Sequence, residues 1–257
     1  MGAAVQEMFS AIAERYDRAN DVLSFGAHRV WRRQAVQFAG AAPGESVLDV
    51  CTGTGDLAFA FARAVGASGT VAGVDFVPNM IKLAVDKRSQ FGPADARSEV
   101  SFAVGDALQL PFEDQMFDIV SVAFGIRNVD DVDRCLREMH RVLRPGGRVL
   151  VVEFGRPTLP GFSALYRWYS REVLPRIGGA LTGNREAYEY LPRTSRVFPD
   201  GADFQKLMAD AGFSDLRLRR FFSGVAYAYL GVRNPLSIGV DLEGGRDGGQ
   251  AEEEGHV

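Results

Sequence analysis

Several features that would have narrowed the role of this 257-residue chain at once are scarce or missing. There are two cysteines, Cys51 and Cys135, far apart in sequence, which argues against a disulfide scaffold and for a reduced, cytoplasmic setting. The three histidines, His28, His140 and His256, are scattered without ligand spacing, so no metal site is expected. No apolar run approaches the roughly 20 residues that span a bilayer. No N-terminal stretch joins basic residues, an apolar run and a small-residue cleavage site. The expectation is a soluble protein that at most lies on a membrane. Charge of one sign is also lacking. The formal net charge is −4, of which the residues after Pro235 hold −5, leaving the body near +1. A nucleic-acid partner therefore has no electrostatic footprint here. Internal repeats are absent.

What is present is ordinary globular composition, 46% apolar and 24% charged, in a length that suits one α/β domain with a modest elaboration. Val5, Met8, Phe9, Ile12, Ala13 and Tyr16 recur at helical spacing, and a second helical stretch carries Trp31 to Phe38. Pro43-Gly44 ends it. Strands are then predicted at Ser46 to Cys51, Thr70 to Asp75, Val100 to Val104, Phe117 to Ala123 and Arg148 to Phe154, with helices at Met80 to Arg88 and Asp131 to Leu143. That alternation predicts a doubly wound, mostly parallel α/β sheet. Gly161 to Tyr190 is aromatic and helical in character, and Asp203 to Ala211 gives one more helix. Leu216 to Phe221 and Val225 to Leu230, joined through Ser223-Gly224, predict a closing antiparallel hairpin and so a seven-stranded sheet. The organisation expected is a helical cover over residues 1–40, a core domain over 41–234 with a helical substrate insertion at about 158–195, and a disordered acidic tail over 235–257.

Strand, Gly-rich turn and helix is an arrangement that offers backbone N–H groups to a nucleotide. Here the turn runs from Asp49 to Gly55, with Asp56 expected to cap the next helix and Gly53 and Gly55 expected to let the backbone approach the ligand. Asp75, 20 residues after Gly55, ends the second strand where a carboxylate accepts ribose hydroxyls, and Phe76 follows it. Gly105-Asp106-Ala107 follows the third strand, placed to meet an adenine amine. Three acidic strand ends in succession outweigh the bland reading of each as a loop charge. The spacing permits NAD, since Ala58 is an allowed variant of a third glycine. The hairpin, Asp49 before the glycines and Pro111-Phe112 after Asp106 favour S-adenosylmethionine.

The chain resembles the ubiquinone/menaquinone biosynthesis C-methyltransferase family over about residues 5 to 233. The strings Tyr16-Asp17-Arg18-Ala19-Asn20 through His28-Arg29-Val30-Trp31, Phe124-Gly125-Ile126-Arg127-Asn128-Val129, Arg141 to Glu153 and Leu174-Pro175-Arg176-Ile177-Gly178 carry it. The resemblance implies a class I methyltransferase fold, with Thr54, Asp75, Asp106 and Ala107 at the cofactor. The chain departs from the family pattern at Ala19, Asp106, Ala123 and Gly155, the last usually Ser.

By the same resemblance the substrate is a prenylated quinol, methylated on a ring carbon: demethylmenaquinol to menaquinol, with a ubiquinone precursor or both as the runner-up and a non-catalytic nucleotide-binding homologue behind them. Arg127 with Asn128 is expected to hold the developing phenolate, against a structural ion pair for Arg127. His28 is a conceivable base. Tyr16 and Asn20 belong to a segment covering the pocket, where core packing is the preferred role of Trp31. Phe162, Leu165, Tyr166, Tyr169, Val173 and Ile177 form a stripe expected to line the isoprenoid tail, Phe162, Tyr166 and Tyr169 foremost. With Arg167, Arg171 and Arg176 beside it, this stripe leaves room for peripheral contact with the inner face of the cell membrane. A homodimer is left open.

Overall fold

Strand β1 (Ser46–Val50) is buried on both faces, the mark of a central strand, and its one charged residue, Asp49, is buried with the rest. In the computed structural model, which describes residues 2–90 and 99–234, β1 lies between β2 (Thr70–Asp75) and β4 (Phe117–Ala123), parallel to both. Strands β3 (Glu99–Val104) and β5 (Leu143–Phe154) extend the parallel sheet on either side. Strand β7 (Ala226–Arg233) pairs antiparallel with β5, and β6 (Phe213–Phe221) closes the edge against β7. The order β3-β2-β1-β4-β5-β7-β6 is the doubly wound sheet with a terminal hairpin that the sequence predicts. The predicted bounds of β2 and β4 are met. Strand β1 stops one residue short, because Cys51 turns the chain with φ +52°.

Two apolar layers sandwich the sheet. On one face α2 (Ala27–Ala39) and α3 (Asp56–Val65) supply Trp31, Val36, Leu57 and Phe61. On the other, α5 (Val132–Val142) and α9 (Ala202–Asp210) supply Leu136, Met139, Phe204 and Met208. Helices α1 (Ala3–Leu23) and α4 (Pro78–Gln90) meet over a small cluster of Ala13, Val77 and Met80. Between β5 and α9 the chain forms α6 (Phe162–Trp168), a π-helical turn (Tyr169–Val173), α7 (Leu174–Thr182) and α8 (Arg185–Val197). The tail expected over 235–257 lies outside the described residues.

Three local expectations are corrected. Asp56 does not cap α3: Gly55 is the N-cap, with φ +85° and no side-chain cap, while Asp56 sits in the first turn and pairs with Arg32 (2.9 Å) and Lys87 (2.7 Å). Gly55 is needed for packing rather than for ligand approach, because a Cβ there would stand 2.8 Å from Phe102 and 2.9 Å from Phe59. The predicted aromatic stripe also divides. Tyr166 and Tyr169 turn inward, but Leu165 and Ile177 are exposed. The π turn inserts an extra residue into the helical repeat, so positions beyond it fall on a different face.

Candidate active site

The carboxyl ends of the parallel strands open into a cavity of about 440 Å³, roofed by α1, α6, the π turn and α8. At its floor, Asp49 accepts hydrogen bonds from Thr52 Oγ1 (2.7 Å) and Ser121 Oγ (2.8 Å). Burial pushes its carboxyl up to about 6, against the pull of those two hydroxyls. Gly53 adopts φ +57° with nothing within 4 Å of where a Cβ would stand, so its bare backbone faces the cavity as expected. Its N–H donates to Asp75 Oδ2 (2.8 Å), and Val77 N–H donates to Asp75 Oδ1 (2.9 Å). Burial raises the Asp75 carboxyl despite these bonds.

Asp75 and Phe76 line a narrow second cleft with Cys51, Val74, Gly105, Asp106, Ala107 and Val129. Asp106 Oδ1 accepts from Leu108 N–H (2.9 Å), a local turn that fixes its carboxylate at the cleft. A Cβ on Gly125 would stand 2.4 Å from Cys51 Cβ, which is how the two turns pack together at this point. Thr54 Oγ1 donates to Asp17 Oδ1 (2.7 Å) and lies 2.9 Å from Lys87 Nζ, tying α1 to the turn it covers.

Arg127 occupies a single turn of 3-10 helix (Ile126–Asn128) beyond β4, the strand next to β1. Its Nη1 lies 2.7 Å from Glu153 Oε1 and donates to the Phe124 carbonyl. Both side chains are nearly inaccessible, 5% and 1% exposed, and the guanidinium lies 5.2 Å from the Phe154 ring centroid. Glu153 is held in turn by the backbone N–H of Phe154 (2.8 Å), and burial raises its pKa against the pull of Arg127. Arg127 thus makes the buried ion pair weighed as its structural role, and it also lines the cavity, with Nε buried and unpartnered. Tyr16 stands close enough for Arg127 to lower its phenol against the larger upward push of burial, and Asn20 hydrogen-bonds to it. Arg127 acts in the same way on Tyr166 and Tyr190, both in the wall.

Other expected residues land elsewhere. Asn128 is buried with its Oδ1 unpartnered and lines neither cavity. Phe162 packs against the apolar layer around Trp31 instead of the cavity. Trp31 itself stacks on Phe221, with ring centroids 6.1 Å apart, while also touching the cavity. His28 reaches the cavity, but both ring nitrogens are engaged: Nδ1 lies 2.6 Å from Ser24 Oγ and Nε2 lies 3.3 Å from Asp21 Oδ1. Burial, with Arg32 nearby, lowers its pKa to about 4, too weak a base to take a phenolic proton. Sequence reasoning missed Glu153, Arg32 and Tyr190. Glu153 had a signal, since it is the lone acid at the end of an apolar strand and a buried carboxylate needs a partner.

Residues 2–233 match the ubiE/COQ5 methyltransferase family. The chain belongs to that family, and it is an S-adenosylmethionine-dependent methyltransferase. A ubiquinone/menaquinone biosynthesis C-methyltransferase of Bdellovibrio bacteriovorus is 45% identical over 229 residues, 89% of this chain and 95% of its own. A demethylmenaquinone methyltransferase of Staphylococcus aureus is 40% identical over the same length, 89% of this chain and 92% of its own. Among solved structures, magnesium protoporphyrin IX methyltransferase from Synechocystis with bound SAH shares the fold at a TM-score of 0.63, with 19% identity over 90% of this chain and 99% of its own. A possible histamine N-methyltransferase from Thermotoga maritima does so at 0.63, with 20% identity over 89% and 99%.

The residues of this ubiE/COQ5 member fit S-adenosylmethionine. The open backbone at Gly53 faces the main cavity, and the buried carboxylate of Asp75 with Phe76, Asp106 and Ala107 lines the narrow second cleft, all near the ends of β1, β2 and β3. The resemblance leads to an expectation of Ser where this chain has Gly155. Here a Cβ at that position would stand 2.2 Å from the Tyr227 ring, so the departure accompanies a filled space.

Proposed function

We propose that this methyltransferase acts on a ring carbon of a prenylated quinol, converting demethylmenaquinol to menaquinol. The observation that carries the proposal is the cavity. It runs from the cofactor turn to Phe9, Ile12, Leu174 and Leu191, mostly apolar walls suited to an isoprenoid chain, with one buried guanidinium beside the turn. S-adenosylmethionine, when bound, supplies an electrophilic methyl group. The protein's own task is to orient the ring, exclude water and ease the loss of a phenolic proton, because the phenolate makes the ring carbon nucleophilic.

Arg127 is the group we assign to that phenolate, directly or through a water. The Arg127–Glu153 pair has no net charge, so what acts on the substrate is a fixed dipole with its positive end toward the cavity. In a dry site such a dipole needs no reorganisation as negative charge develops on oxygen. Glu153 is a positioning residue: it holds the guanidinium from behind and does not itself line the cavity. Tyr16 and Asn20 on α1, with Tyr166 and Tyr190 on α6 and α8, close the ring pocket around Arg127. His28 joins Ser24 and Asp21 to fix the α1–α2 corner.

A second reading, action on the demethylated ubiquinol precursor or on both quinols, is favoured by the name of the 45% identical relative, which joins the two pathways. Methyl transfer to each quinol, with products read by mass, separates them. Turnover of demethylmenaquinol is expected. Methylation of neither quinol by a protein that binds S-adenosylmethionine overturns the proposal.

A further inference from the structure

The cofactor edge is lined with acids, whereas one end of S-adenosylmethionine is itself an acid. Asp75 and Asp106 share the narrow cleft, and Asp49 and Asp56 line the cavity along the turn. Such a row suits hydroxyls, an amine and the cationic ammonium and sulfonium groups. It repels the methionyl carboxylate, and a carboxylate that leaves water needs a partner of opposite charge. Two basic side chains reach the turn from the helices around it. Lys87 on α4 has its three donors spent, on Thr54 Oγ1 (2.9 Å), Asp56 Oδ1 (2.7 Å) and Asp17 Oδ2 (2.6 Å), and it does not line the cavity.

Arg32 on α2 differs on both counts. It lines the cavity with Gly53, Thr54 and Asp56, and its side chain is 13% exposed. Among the described residues only its Nη1 makes a hydrogen bond, to Asp56 Oδ2 (2.9 Å). Its Nε and Nη2 have no partner there, and unlike Arg127 Nε neither is sealed off by protein. A planar fork held by one carboxylate with donors to spare is suited to a second carboxylate. Asp56 fixes the head, and Lys87 steadies Asp56 in turn. The guanidinium also stands close to Asp49, whose carboxyl burial raises while Thr52, Ser121 and Arg32 draw it back. Arg32 and Asp49 thus present both signs of charge at one turn, as an amino-acid zwitterion requires. Arg127, by contrast, stands with Glu153 beyond β4.

We infer that Arg32 anchors the methionyl carboxylate of S-adenosylmethionine through the guanidinium donors that Asp56 leaves open. The assignment concerns the cofactor alone and stands whichever quinol is methylated. Calorimetry without turnover tests it. S-adenosylhomocysteine and its decarboxylated analogue, which keeps the adenosyl, thioether and ammonium groups, are each titrated into the full chain and into Arg32→Gln. The unaltered chain is expected to bind S-adenosylhomocysteine about 10- to 100-fold more tightly than the analogue. Arg32→Gln is expected to weaken S-adenosylhomocysteine by that factor and to leave the analogue within about twofold, so that the preference disappears. Arg32→Lys, which keeps the charge without the planar fork, is expected to fall between the two. Equal losses for both ligands in Arg32→Gln would show that Arg32 only supports the turn through Asp56, and overturn the inference. A preference that survives in Arg32→Gln also overturns it, by handing the carboxylate to another group. So does an unaltered chain that binds the two ligands equally, a comparison that needs no variant to fold.

Discussion

The floor of the cavity and its roof are built by different means. On the floor, Asp49 meets Thr52 three residues on, Asp75 meets Val77, Asp106 meets Leu108, and the Gly53 backbone meets Asp75 from the adjacent strand. Three of these are contacts two or three residues along the chain and the fourth joins adjacent parallel strands; Ser121, on the other neighbouring strand, completes the floor at Asp49. On the roof and the wall beyond β4, Arg127 depends on Glu153 one strand away, Thr54 on Asp17 in the first helix, and Tyr169 on Leu23 across 146 residues. The difference teaches that a cofactor cradle follows from local chain geometry. The substrate pocket exists only once distant helices have docked.

The largest test of that contrast is Arg127→Ala, which should lower kcat by about 10²- to 10³-fold while the dissociation constant for S-adenosylmethionine, measured by calorimetry, changes little. Equal losses in both would place Arg127 on the floor and erase the distinction. Glu153→Ala leaves the guanidinium buried and unpaired, so a loss of about 3–5 kcal/mol in stability is expected from urea unfolding. Glu153→Gln, which keeps a hydrogen-bonding oxygen, should lose clearly less while still lowering kcat.

Next come the two glycines of the turn. Gly55→Ala forces a methyl group against Phe102 and Phe59 at φ +85° and should cost about 1–3 kcal/mol of stability. Gly53→Ala meets no atom within 4 Å, so only the roughly 1 kcal/mol strain of a left-handed residue is expected. Its cofactor affinity, by contrast, should fall more than its stability. Matching behaviour of the two variants would show that they share one role.

A finer test uses pH. His28 has a folded pKa of about 4, below its ordinary 6.5. The unfolded chain therefore binds the proton first, and the stability that neutral His28 contributes is present above pH 6.5 and lost as pH falls toward 4. Asp49, raised to about 6 from 3.8, runs the other way. Its contribution is present below pH 3.8 and lost as pH rises through 6. Urea midpoints measured from pH 4 to 7 should thus respond oppositely to His28→Gln and Asp49→Asn. The smallest effect expected is from Asp17→Asn at the partly exposed Lys87 cluster, under about 1 kcal/mol, again by urea unfolding.

Much of the floor was legible because strand ends announce themselves. Thr70 to Asp75 and Phe117 to Ala123 are apolar runs whose bounds the structure repeats, and the acids at 49, 75 and 106 sit where such runs stop or just beyond. The glycines were legible as glycines, but the reason each is required was not. Only folding brings Phe102 from β3 under Gly55 and leaves Gly53 facing space. The roof was legible as helical and aromatic, yet a 3.6-residue wheel drawn straight through 162–177 puts Leu165 and Ile177 inside, whereas Leu165 is exposed within α6 and the π turn carries Ile177, beyond it, to the surface.

Hydrophobic periodicity and turn chemistry are local properties, so the sequence by itself determined the alternating strands and helices, the closing hairpin and the acids along the cofactor edge. Family-specific strings added the quinol expectation. Partner choice among charged and aromatic side chains depends on which elements meet, and only the tertiary structure decided it. It gave Arg127 to Glu153, Asp56 to Arg32 and Lys87, and His28 to Ser24 and Asp21. Those pairings arise from burial and close approach between residues far apart in the chain, which no spacing along one strand or helix encodes.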